Sequence, residues 1–214
     1  MPVLLVIDSA TAACSVALLE ADGAVLAERH DIVGRGHAER LMPMVAELLG
    51  SRRPQAILVD CGPGSFTGVR VGLAAAHGLA IGWGVPLAGY SSMALLAAAA
   101  VAPAVGVALA GGHGELFVQS YGGDPLAPLD DLRSLAPEVA AAAVAADLVV
   151  GSGAEALVGV RGYGSWRDAL PRAADAGRLP PDLRTLAPRP IYGRAPDAKP
   201  VQSDAAGGVE GPMT

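Results

Sequence analysis

The sequence predicts an α/β protein made of two related domains. Three observations carry that expectation. The chain opens with three strand-length apolar stretches, whereas a dinucleotide-binding unit would pass from its first strand to a helix. A strand–turn–strand opening recurs after Pro103. Helical and strand-like stretches alternate after each opening.

In order, residues 4–8 are a continuous apolar run closed by Asp8, the pattern of a central strand. Ser9-Ala10-Thr11 turns the chain. Residues 14–19 and 25–30 are the next strands, joined by a hairpin turn at Ala21-Asp22-Gly23. Residues 37–49 form an amphipathic helix with Leu41, Met44, Val45 and Leu48 on one face. Pro43 should kink it or shift its start. A strand at 56–60 leads into Gly62-Pro63-Gly64-Ser65, and a helix follows at 65–83 with Ser65 as its N-cap. A strand is expected at 85–89. A helix begins at Ser91 or Ser92 and stops at Pro103. The second half reads as strands 105–110 and 116–121, an Ala-rich helix 137–146 and a strand 148–150 entering Gly151-Ser152-Gly153. The expected division is 1–103, a smaller domain 104–190, and a tail 191–214 whose last fourteen residues read as disordered.

Composition narrows the function. Hydrophobic residues make up 52% of the chain but aromatics only 4%, so Ala, Val and Leu must fill the core. A net charge of −6 argues against a whole-protein polyanion binder, although the C-terminal quarter is mildly basic. Cys14 and Cys61 lack CxxC spacing and no basic-then-apolar leader opens the chain, which together indicate a reduced, cytoplasmic protein. No Asp, Glu, Lys or Arg occurs from Val71 to Gly114. His77, Pro86, Ser91, Ser92 and Pro103 break that stretch, so two buried helices around a buried strand fit better than a membrane span.

Residues 62–72, Gly-Pro-Gly-Ser-Phe-Thr-Gly-Val-Arg-Val-Gly, are either a phosphate cradle or a close-packing elbow. As a cradle they would supply Gly62, Gly64, Ser65, Thr67 and Arg70, with Asp8 and Ser9 beside them. The run is no Walker A loop, because the only Lys is Lys199. It is also neither Gly-x-Gly-x-x-Gly nor a Gly-x-Ser-x-Gly elbow. The acid expected to match Asp8 after the second domain's first strand is replaced by Ala110-Gly111-Gly112, so a two-carboxylate phosphoryl-transfer site is incomplete. No two of the four histidines have helical metal spacing, and Ser65 has no evident base, so no catalytic or metal residue is assigned. From Gly68, small residues recur every four positions through Gly72, Ala76, Ala80 and Gly84, a ridge suited to close approach by the protein's own sheet or by a partner. These observations favour the elbow.

Several motifs resemble the TsaB (YeaZ) family. They are Ile7-Asp8-Ser9-Ala10-Thr11, Ala13-Cys14-Ser15-Val16-Ala17-Leu18, Leu41-Met42-Pro43-Met44-Val45 and the run from Gly62 to Arg70, with later matches at Gly114-Glu115-Leu116-Phe117 and from Pro190 to Lys199. The likeness is continuous over about 1–90 and patchy beyond. It implies an actin/Hsp70-like (ASKHA) fold, each domain a mixed sheet flanked by helices. It implies a non-catalytic, activating subunit for making N6-threonylcarbamoyladenosine at position 37 of tRNA. The partners it implies are a TsaD-like transferase and a TsaE-like ATPase, with a homodimer as the form taken alone and tRNA touched only indirectly. It implies no cofactor in the isolated chain and leaves ATP or ADP open in the complex. The interface expected for the partner is Leu41, Met44, Val45, Leu48, Gly68, Gly72 and Ala76. The rival reading is an autonomous ASKHA-type ATPase or small-molecule kinase using Asp8 and the 62–68 turn.

Overall fold

The computed structural model describes residues 3–193. The tail from 194 on, with the disorder expected there and the end of the late motif, lies outside the described residues. The first half runs β1 (Val3–Asp8), β2 (Ala13–Glu20), β3 (Val25–Ile32), α1 (His37–Leu49), β4 (Ala56–Asp60), α2 (Phe66–Trp83), β5 (Leu87–Tyr90) and α3 (Ser92–Ala100). Its sheet has the order β3-β2-β1-β4-β5. β1 pairs antiparallel with β2 and parallel with β4.

The second half runs β6 (Ala104–Ala110), β7 (Leu116–Gly122), β8 (Ala127–Pro128), β9 (Arg133–Leu135), α4 (Pro137–Ala143), β10 (Leu148–Val150), α5 (Ala154–Arg161) and β11 (Ser165–Arg167). Its sheet order is β11-β10-β6-β7-β8, with β9 also on β7. β6 pairs antiparallel with β7 and parallel with β10. Each half is thus an antiparallel meander followed by parallel strands, with a helix placed before each. The halves differ in size: α2 has 18 residues and its counterpart α5 has eight.

Three packed layers follow from this pairing. Leu5, Ile7, Val16 and Leu18 face α1 and α2 on the outer side of the first sheet. Alternate residues Val6, Ala17 and Leu19 face the other way, onto α3 and the inner side of the second sheet at Val105, Val107 and Leu109. Leu157 and Val158 of α5 cover the second sheet's outer side with Ala140 and Val144. α3 is therefore apolar all round, as a helix enclosed between sheets must be. This accounts for the α3 and β6 part of the uncharged stretch; of the two helices expected to be buried, α2 is buried on one side only. No helix among the described residues is long and apolar enough to cross a membrane.

Several details depart from expectation. α1 keeps its full length through Pro43, because it is held by burial of Leu41, Met44, Val45 and Leu48 in the core. α4 stops at Ala143, three residues early; Val144 is extended and packs into the core instead of continuing the helix. α5, β8, β9 and β11 are short and lack clear periodicity, and the sequence did not announce them. Residues 173–184 turn back in 3-10 conformation onto the first sheet. There the Ala173 amide donates to the buried Ser15 hydroxyl at 2.9 Å. Leu186 then pairs with Gly89 on the edge strand β5, and the Ile191 amide donates to the Cys61 carbonyl at 2.8 Å.

Candidate functional site

The carboxyl ends of β1 and β4 lie side by side, and the glycine run leaves from β4. Ile7 stands opposite Val59, so Asp8 and Asp60 are the next neighbours across the parallel pair. Both are buried, at 0% and 2% exposure. The Tyr90 hydroxyl donates to Asp8 Oδ2 at 2.9 Å. The Ser92 hydroxyl lies 2.8 and 2.6 Å from the two Asp60 oxygens, and the Gly62 amide donates to Oδ1 at 2.8 Å. Burial, followed by the Asp60 charge, pushes the Asp8 carboxyl well above the usual carboxylate range. Burial raises Asp60 too, but its Ser92 and Gly62 donors hold it lower. Asp8 Oδ1 meets no N–H or O–H donor. A proton carried by Asp8 and directed at Asp60 satisfies both groups. The pair is closed off from solvent, and burial favours holding a proton on Asp8.

The acid that Asp8 meets is one the sequence reading did not single out as a site residue. It stands in the adjacent parallel strand, where Ala-Ile-Leu-Val-Asp repeats the apolar-then-Asp pattern of β1. Tyr90 and Ser92 carried no signal, since only tertiary packing brings the end of β5 over β1 and β4.

The glycine run is a packing elbow. Gly62 has φ +91°, in the left-handed region that favours glycine. A Cβ on Gly64 would overlap the Ala10 carbonyl. The Ser65 amide donates to that carbonyl at 2.6 Å, and the Ser65 hydroxyl accepts from the Gly68 amide at 3.3 Å to cap α2. The Ser9 hydroxyl, buried, donates to the Gly68 carbonyl at 2.9 Å. The amides of Gly62, Ser65 and Gly68 all have protein acceptors, which withdraws those three from any anion cradle. Thr67 is exposed at the start of α2. Arg70 lies against Phe66 and Tyr192.

Between the sheets lies a cleft of about 430 Å³, lined by Ala10, Thr11 and Ser65 on one side and Leu109, Gly111 and Ser152 on the other. Its lining contains no charged side chain. No group of three or more potential metal ligands occurs among the described residues. The second half supplies glycine where the first supplies acids. Gly151, at φ +119°, packs on the Ala108 carbonyl, and the Ser152 hydroxyl accepts from the Ala110 amide.

The expected partner interface needs correction. Leu41, Met44, Val45 and Leu48 are at most 3% exposed and belong to the chain's own core. Gly68, Gly72 and Ala76 are buried as well. A Cβ on Gly68 would overlap the Ser9 carbonyl, and one on Gly72 would overlap the Ser9 hydroxyl. The ridge lets α2 lie directly on the β1–β2 turn. The other side of α2 is open: Ala74 is exposed, a Cβ on Gly78 or Gly82 would meet nothing within 4 Å, and Ile81 is 82% exposed. On α1 the exposed positions Ala38, Met42 and Ala46 also repeat every four residues.

The family model for TsaD, tRNA N6-adenosine threonylcarbamoyltransferase, matches residues 29–146, more than half the chain. The tRNA threonylcarbamoyladenosine biosynthesis protein TsaB of Escherichia coli is 42% identical over 99 residues, 44% of this chain and 42% of that protein. The chain belongs to the TsaB/YeaZ family. An uncharacterized Mycobacterium tuberculosis protein is 32% identical over 92% of this chain and 94% of its own. YeaZ from Pseudomonas aeruginosa superposes with a TM-score of 0.77 at 28% identity, covering 90% of this chain and all of that one. The fold is accordingly ASKHA-like, two mixed sheets flanked by helices. The chain's match spans about two-fifths of the length of the curated TsaB relatives from Escherichia coli and Haemophilus influenzae.

Proposed function

We propose that the chain is a non-catalytic, activating subunit in tRNA N6-threonylcarbamoyladenosine formation, docking on a TsaD-like transferase with a TsaE-like ATPase joining them. Family membership supports the pathway. The observation that carries the docking is the open face of α2, where Ala74, Gly78, Ile81 and Gly82 stand without cover. Small residues at four-residue spacing let a partner helix approach closely, and Ile81 adds apolar area. The uncharged cleft supports an accessory role over the ATPase or kinase reading, because a nucleoside triphosphate needs cations or oriented amides there. The acids Asp8 and Asp60 answer each other and are closed off from the cleft.

Reconstitution tests this directly. Threonylcarbamoylation of tRNA by TsaD and TsaE partners should depend on added chain. Activity that is the same without it overturns the reading. Gly78→Leu should prevent co-elution with the transferase without lowering the thermal midpoint of the free chain. Co-elution of that variant would move the interface elsewhere.

A further inference from the structure

Both of the chain's phenylalanines and one of its four tyrosines line a single pocket. In a protein with 4% aromatics, that concentration calls for a reason. Phe66 opens α2, Phe117 lies on β7, and Tyr192 comes from the returning tail, which the Ile191–Cys61 hydrogen bond anchors. Burial is not the reason, because Phe66 is 68% and Tyr192 61% exposed. The Arg70 guanidinium sits 3.2 Å from the Phe66 ring centre and 5.7 Å from that of Tyr192. It also donates to the Tyr192 hydroxyl at 2.9 Å. Among the described residues no carboxylate pairs with Arg70.

We propose that this pocket holds one extruded base of a single-stranded RNA. Exposed aromatic faces beside an arginine are what stacks a base, since every base offers a π-face. The pocket measures about 220 Å³. That is below the roughly 300–1,000 Å³ of sites that enclose a whole small molecule, so it suits one flat ring system better than a complete cofactor. The Arg70 guanidinium donates to the Phe66 carbonyl at 3.1 Å as well as to Tyr192, but with no carboxylate to neutralise it among the described residues its charge matches the single phosphate next to an extruded base. A protein of net charge −6 will not hold long RNA by charge alone, so the contact is local and its affinity comes mainly from stacking. The choice of RNA rests on the tRNA pathway proposed above.

The test uses the full chain and a labelled single-stranded adenosine-containing octaribonucleotide at low salt, with AMP as competitor. Irradiation should crosslink the RNA to a peptide carrying Phe66, Phe117 or Tyr192. Phe66→Ala should weaken RNA binding about tenfold to a hundredfold with no change in thermal midpoint. Tyr192→Phe should bind as the parent does, and Tyr192→Ala should not. Arg70→Gln should lower the salt dependence of binding by about one phosphate contact. RNA binding unaffected by Phe66→Ala, no binding at all, or AMP binding as tightly as the RNA overturns the proposal. The readout does not use threonylcarbamoylation, so Phe66-dependent binding with reconstitution indifferent to the chain would sink the accessory role and spare the pocket. Chain-dependent reconstitution without Phe66-dependent binding would do the reverse.

Discussion

The two sides of α2 carry nearly the same sequence pattern and have opposite fates. On one side Gly68, Gly72 and Ala76 recur every four residues; on the other, Ala74, Gly78 and Gly82 do the same. At Gly68 and Gly72 the first stripe lies on Ser9 with no room for a Cβ, while at Gly78 and Gly82 the second faces empty space. Glycine weakens a helix interior by about 1 kcal/mol relative to alanine. On the first side close packing offsets that cost. On the second, nothing in the isolated chain does, and that uncovered stripe is the ground for the docking face proposed above.

The largest effect should come from breaking the closed side. Gly72→Leu places a branched side chain where the Ser9 hydroxyl already stands. Overpacking commonly costs about 1–3 kcal/mol when the core can shift, and here the Ser9 hydroxyl, held by its bond to the Gly68 carbonyl, and the buried Ile7 side chain resist the shift. We expect loss of the cooperative thermal transition, measured by circular dichroism. A normal melt would mean that the stripe is not packed as described. Next, Leu41→Ala should cost about 2–5 kcal/mol in urea unfolding, as for any buried leucine. A loss below 1 kcal/mol, coupled to failed partner binding, would return Leu41 to an interface.

Asp8→Asn gives a smaller, pH-dependent effect. The Asp8 carboxyl titrates higher in the folded chain than unfolded. Its contribution is therefore complete at acid pH and is lost as pH rises through the folded value. Asn keeps the Tyr90 contact, can donate to Asp60 and has no proton to lose. The thermal midpoint of the variant minus that of the parent should rise steadily from about pH 4, near the ordinary carboxylate value, toward alkaline pH. A flat difference would show that Asp8 is ionised in the fold. The smallest change sharpens the open side: Gly78→Ala and Gly82→Ala should each stabilise the chain by about 0.5–1 kcal/mol in urea titrations. Destabilisation by either would mean that this side is covered.

Much of the fold was legible because local signals agreed with the global structure. β1 and β4 read as apolar runs closed by Asp, α1 as a four-residue apolar face, and Ser65 as the cap of α2. β8, β9, β11 and α5 were not legible: two- and three-residue strands carry no periodicity, and Ala154–Arg161 is too short for one. Of the candidate site, the sequence picked out the glycine run and the helix pair, but the interface residues it chose are buried in the chain's own core. A stripe of small residues says that something approaches closely; it does not say what.

By itself the sequence determined the alternation of strands and helices, the glycine elbow and the absence of a Walker lysine. These follow from residue type and spacing, which act within a few positions. Only the tertiary structure decided that Asp8 meets Asp60 beneath Tyr90, that α2 lies with Gly72 on Ser9 and leaves Gly78 open, and that Phe66, Phe117 and Tyr192 share one pocket. These contacts join positions up to 126 residues apart, as in the Phe66–Tyr192 pocket. Their geometry depends on how the sheets and helices stack, and no local pattern encodes that.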